Sequence, residues 1–196
     1  MLRATVAAVI GAAAGYAIAK QTRSDPRLGA MIGAFAGGGI VLLAETYGKS
    51  LLEQNSGYAL GAARQLNSDL DYDIVHQQQR EIALREQHAT VRSVIAQNKN
   101  SLVANSTRLM DLTQVLERED REFRDIYKPA PAVYTQTVAF VTAKGTQTPS
   151  DTPAVKSEVS RINASISKLE KANATVMEEI VRTATLLKDQ GIYHKL

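Results

Sequence analysis

The chain has 196 residues, enough for one domain or for a small membrane module joined to one soluble module. It contains no cysteine, which excludes disulfides, thiolate metal sites and cysteine nucleophiles, and with no Trp and three Phe it offers little for an aromatic-rich ligand pocket. The net charge of +3 lies within residues 1–44, where Arg3, Lys20, Arg23 and Arg27 face only Asp25, while residues 45–196 balance 19 basic against 19 acidic side chains. A basic excess confined to that end argues against a specific nucleic-acid partner, which would need a basic face on the soluble part.

Residues 4–19 and 28–44 are two uncharged, apolar stretches. At 1.5 Å per residue each spans roughly 25 Å, short for a bilayer core of about 30 Å. The connector 20–27 holds helix-stop and helix-start residues: Ser24 or Asp25 as a cap and Pro26 in the first turn, where its missing N–H needs no partner. The predicted unit is a transmembrane helical hairpin over residues 1–44. Gly11 and Gly15, extended by Ala7 and Ala19, share one face of the first helix, and Gly29, Gly33 and Gly37 share one face of the second. Removing side chains along a face lets two backbones approach closely, a main source of helix association in lipid. In this spacing the segment resembles the glycine-zipper two-helix membrane proteins. The resemblance implies a packed hairpin that can oligomerise, and no particular activity.

If the hairpin spans a bacterial inner membrane, Lys20, Arg23 and Arg27 place the loop 20–27 in the cytoplasm and the C-terminal body in the periplasm. Two other readings stay open for this segment. Residues 1–19 have the layout of a secretory signal peptide with Ala17-Ile18-Ala19 as the cleavage site. Alternatively, the Ala/Gly-rich helices pack inside a soluble assembly or a virion.

Residues 45–70 are expected to form a juxtamembrane helix, broken or kinked at Asn55-Ser56-Gly57. Residues 71–127 are expected to form a coiled-coil helix, with a heptad rhythm from Leu84 that puts His88, Ile95, Leu102, Leu109, Leu116 and Phe123 at one seam position and Val91, Asn98, Asn105, Leu112, Glu119 and Ile126 at the other. Residues 154–190 repeat the rhythm with Val155, Ile162, Leu169, Val176 and Thr183, joined by Val159, Ile166, Asn173, Ile180 and Leu187. The all-α body is therefore expected to be a coiled coil with the two runs antiparallel. Asn98, Asn105 and Asn173 on the seam are candidate register residues, because only one alignment pairs a seam amide. Pairing Asn105 with Asn173 is one such alignment. Between the runs, residues 128–153 carry Pro129, Pro131, Pro149 and Pro153; a loop is expected there, with the β-branched stretch 132–143 extended and available to a partner.

The chemistry-bearing patterns are sparse. Gly48-Lys49-Ser50 lacks the upstream glycine of a phosphate-binding loop, since Leu43 stands at that position. His76, His88 and His194 are too dispersed for a metal site, and Asp69/Asp71/Asp73 and Glu117/Glu119/Asp120 read as solvated helix faces. No catalytic residue, cofactor or metal is expected. The expected function is that of a non-enzymatic, membrane-anchored structural subunit of a multiprotein envelope complex of bacterial type, associating with further copies of itself, with other subunits and with lipid. A second reading is a membrane-penetrating translocation component of a phage or bacterium, a virion protein for DNA ejection, since the layout resembles that of the DNA pilot proteins of small phages.

Overall fold

A computed structural model of the chain describes residues 26–97 and 102–189. The elements among the described residues are all helices: α1 Pro26–Gln54, α2 Ala59–Gln97, α3 Leu102–Glu122, a π-helical turn Phe123–Tyr127, α4 Ala130–Lys144 and α5 Thr152–Asp189. The chain divides into two compact units, Met1–Asp73 with Asp125–Leu169 and Ile74–Arg124 with Glu170–Leu196, so α2 and α5 each contribute to both.

In the first unit α1 and α4 lie side by side and parallel. The Thr137 hydroxyl donates to the Ala44 carbonyl at 3.5 Å, Val133 packs on Leu43 and Ala44, and Phe140 covers Gly48. The α2 and α5 segments are also parallel, with Arg64 facing Glu158 at 4.0 Å and the Ser165 hydroxyl reaching Asn67 and Asp71, each at 3.5 Å. Alanines 59, 62 and 63 on α2 are fully buried beside Leu66 and Leu70. Their small side chains let neighbouring helices approach while still removing apolar surface from water.

The turns that join α1 to α2 and α4 to α5 are tied together. Tyr58 and Thr146 form an isolated parallel bridge, with the Thr146 N–H donating to the Gly57 carbonyl at 2.8 Å and the Ala59 N–H to the Thr146 carbonyl at 3.0 Å. A Cβ on Gly145 would stand 2.8 Å from Ala59 Cα, so only glycine allows this approach. At the end of α1 the Gly57 N–H bonds the Leu52 carbonyl at 2.7 Å and the Ser56 N–H bonds that of Glu53 at 3.3 Å. This is the Schellman pattern, and it puts Ser56 (φ 54°) in the left-handed position usually given to glycine. Ser56→Gly is expected to raise stability by roughly 1 kcal/mol, and Gly57→Ala, at φ 82°, to lower it by roughly 1–2 kcal/mol; urea unfolding midpoints of the two variants check both signs.

In the second unit α3 runs antiparallel to α2, since Arg80 meets Glu119 and the Gln87 amide donates to the Leu112 carbonyl at 3.1 Å. The α5 segment runs parallel to α2, with Glu179 beside Arg85 and Thr183 beside His88. Val91, Leu109, Leu116, Phe123, Val176, Ile180 and Leu187 fill the core.

Several expectations are corrected. No helix among the described residues is long and apolar enough to cross a membrane, so the second half of the predicted transmembrane hairpin is not seen as a span. Non-helical dihedrals at Gly39 (φ 73°, ψ 167°) interrupt α1, and beyond it Leu43 and Ala44 form a buried cluster with Val133 of α4, against which the partly buried Ile40 packs. The first half, with Gly11 and Gly15, lies outside the described residues. The region 45–70 does divide at Asn55-Ser56-Gly57, into the end of α1 and the start of α2, and its Leu51, Leu66 and Leu70 are buried in protein. Residues 71–127 are not one helix: they divide among α2, α3 and the π-helical turn, and α2 and α3 run antiparallel.

The stretch 130–144 is helical, not an extended loop. Pro131 sits in the first turn, where proline is tolerated, and Pro129 precedes it as the cap. The β-branched threonines bond back to the carbonyl four residues earlier, Thr135 to Pro131, Thr137 to Val133 and Thr142 to Val138 at 2.8–2.9 Å, which lets Thr137 be fully buried.

Candidate functional site

Glycines 29, 33 and 37 stand four residues apart on the helical backbone of α1, so they share a face as the sequence predicts. Asn98 lies outside the described residues, and of Asn105 only the helical backbone in α3 is described. Asn173 is buried in the second unit. The expected register is not formed there. With Glu179 beside Arg85 and Glu119 beside Arg80, Asn173 stands level with the Arg80–Glu119 pair, about two heptads from Asn105.

Asn173 is one of several buried polar residues spread along this core. Gln77, Arg80, Asn173, Glu179 and Thr183 are all buried. Arg80 Nη2 and Nε approach Glu119 Oε2 at 2.8 and 3.2 Å, and Nη2 also donates to the Glu119 carbonyl at 3.3 Å, a two-nitrogen clasp that fixes α3 against α2. Gln77 has no exposed surface, and neither its amide nitrogen nor its amide oxygen meets a hydrogen-bond partner among the described residues. Glu119 is thus a core-facing clasp and not the solvated acidic face expected from Glu117/Glu119/Asp120.

Two turns beyond Arg80 along α2, His88 Nδ1 lies 3.3 Å from the Thr183 hydroxyl. Burial, and then the positive charge of Arg182, pull its pKa below 6.5, with Glu179 opposing and Arg92 reinforcing. A histidine held neutral by the fold contributes stability above pH 6.5, and that contribution is lost as pH falls through the lowered folded value. The expected outcome is a lower urea midpoint at pH 5 than at pH 7 in the wild type, and a smaller drop in His88→Asn.

In the first unit two Tyr–Asp pairs bind α1 and α4 to successive turns of α2. The Tyr47 hydroxyl donates to Asp69, whose other oxygen accepts from the Gln65 amide at 2.9 Å. The Tyr134 hydroxyl donates to Asp73 at 2.7 Å, with both residues buried. The two rings meet edge to face at 6.4 Å and 77°. Burial first, and then the charge of Asp73, push the Tyr134 phenol well above its ordinary pKa of 10.0. The sequence places Asp69, Asp71 and Asp73 on solvated faces; Asp73 is instead inside. The i, i+4 spacing of Asp69 and Asp73 is the one signal that shows two acids sharing a face.

Between α1 and α4 an open groove of about 520 Å³ is lined by Glu45, Lys49, Leu52, Glu53, Phe140 and Lys144. Gly48-Lys49-Ser50 belongs to this helix interior, where Gly48 makes room for the Phe140 ring. Among the described residues no group of three or more His, Asp or Glu is placed to hold a metal ion. No family model, curated protein or solved structure matches the chain.

Proposed function

We propose that the chain is a non-enzymatic structural subunit, held at a membrane by its N-terminal glycine-patterned region and assembled into a larger complex through it. The observation that carries this reading is the division of the sequence. Residues 1–44 hold the whole positive excess and one acidic residue, and their glycines recur at four-residue spacing; the charge-balanced remainder folds into helices whose interior is already filled. Small-residue faces are packing surfaces for helices in lipid, and flanking basic residues favour anionic headgroups. The body supplies rigidity: its registers are fixed by Tyr–Asp pairs in the first unit and by the Arg80–Glu119 clasp in the second.

The test is the mass of the detergent-solubilised full chain. A species several times the 21.2 kDa protomer is expected, shifting to smaller size in Gly33→Leu, whose side chain would separate the glycine faces. A monomer in the wild type, or an oligomer unchanged by Gly33→Leu, would contradict assembly through this face.

A further inference from the structure

In the second unit α2 has two patterned faces. Its inner face is marked by Ile74, Leu84, Val91 and Val94, all buried. On the opposite side Val75 is 50% exposed and Ile82 59%, and Ala89, seven residues further on, is exposed as well. Gln79, Glu86 and Ser93, also on the exposed side, fall between them at the three- and four-residue steps of a coiled-coil seam. Single exposed apolar residues are ordinary on a protein surface. A repeat at the heptad period is instead the pattern of one helix laid on another.

The polar residues of this face complement themselves. A two-fold axis between Arg85 and Glu86 would set Arg85 of one copy opposite Glu86 of a second, Ile82 opposite Ala89, and Gln79 opposite Arg92, each pair occurring twice. Base then meets acid, a large apolar side chain meets a small one, and an amide oxygen meets a guanidinium. A parallel copy in register would set Glu86 against Glu86, with like charges facing. Arg85 is held over the face by its bonds to Glu81 at 2.7 Å and Glu179 at 3.2 Å, while 59% of its side chain stays exposed.

We propose that the outer face of α2 in the second unit is a contact between two copies of this chain, antiparallel about an axis at Arg85–Glu86. One helix face from residue 75 to 96, roughly 30 Å long, buries much less than the about 800 Å² per partner of a free-standing interface. The contact therefore forms between copies already gathered by their N-terminal regions, where the local concentration is high. It rests on the assembly proposed above and adds a second, charge-specified contact to it.

With no native cysteine, introduced thiols report this contact alone. Full-length copies carrying Ile82→Cys are co-expressed with copies carrying Ala89→Cys and oxidised mildly in the membrane. The antiparallel register brings 82 and 89 of different copies opposite each other, while like positions stand roughly 10 Å apart along the axis, beyond disulfide reach. A disulfide-linked dimer of twice the 21.2 kDa protomer is expected in the mixture. Its yield should exceed that of either variant alone by roughly fivefold, given the narrow geometry a disulfide accepts. Glu86→Arg in both copies sets like charges together and is expected to lower the yield roughly fivefold, with the urea midpoint unchanged because residue 86 is exposed. Ile82→Cys alone cross-linking as well as the mixture would overturn the antiparallel register, and a yield unmoved by Glu86→Arg would overturn the charge pairing. An oligomeric mass in detergent with no cross-link in any combination would overturn the contact and leave the N-terminal assembly standing. A monomeric mass with no cross-link would overturn both.

Discussion

Gln77→Met is expected to stabilise the protein by about 1–3 kcal/mol, read as a higher urea midpoint with an unchanged slope. The wild-type glutamine is fully buried, and its two amide atoms meet no hydrogen-bond partner among the described residues. Folding therefore strips both groups of water without replacing what water supplied. Methionine keeps the unbranched shape and removes the unmet polar groups. A drop in the midpoint would show that Gln77 is satisfied in solution. The buried polar residues of this core carry a price in stability, and their effect is on alignment. The Arg80–Glu119 clasp forms in one register of α2 against α3, where an all-leucine layer would tolerate sliding by a heptad.

Tyr134→Phe is expected to cost about 1–3 kcal/mol, because Asp73 is buried and loses the phenol that donates to it at 2.7 Å. The same variant changes the alkaline limb of the stability curve. Tyr134 has a folded pKa above 10.0, so its protonated form is favoured by the fold; that contribution is complete below pH 10 and declines as pH rises beyond it. Wild-type stability should fall more steeply above pH 10 than that of Tyr134→Phe. Absorbance at 295 nm should show one tyrosine ionising only as the wild type unfolds. Parallel pH profiles for the two proteins would contradict a buried, proton-retaining phenol.

Much of the body is legible in the sequence where burial follows the heptad. In α5, Ile162, Leu169, Val176, Thr183, Ile180 and Leu187 occupy the seam positions and are buried. The rhythm cannot show where a helix turns back. The seven-residue period runs through 98–101 without a fault, so Val91 and Leu112, one seam in the sequence, stand on opposite arms of a reversal between α2 and α3. Partner choice fails for the same reason, because apolar seams carry no label of direction. The parallel pairing of α2 with α5 emerges from cross-helix contacts such as Arg64–Glu158, Arg85–Glu179 and His88–Thr183. The stretch 130–144 misleads through composition: prolines in a first turn start a helix, and threonines that bond their own preceding turn lose their usual preference for strands. The Tyr–Asp pairs are illegible because each joins residues 22 or 61 positions apart.

The N-terminal region is where sequence and structure bear on each other most closely. Seventeen uncharged residues from 28 to 44 read as one apolar helix. The dihedrals of Gly39 interrupt that helix, and beyond the break Leu43 and Ala44 pack with Val133 of α4. Attachment by the remaining N-terminal residues is the central claim, and membrane partition of the intact chain tests it most directly. The full-length protein, expressed in cells with an anionic inner membrane, should sediment with the membranes, withstand a high-salt wash, and be released by detergent as an oligomer. Recovery as a monomer in the aqueous fraction, without detergent, would contradict it.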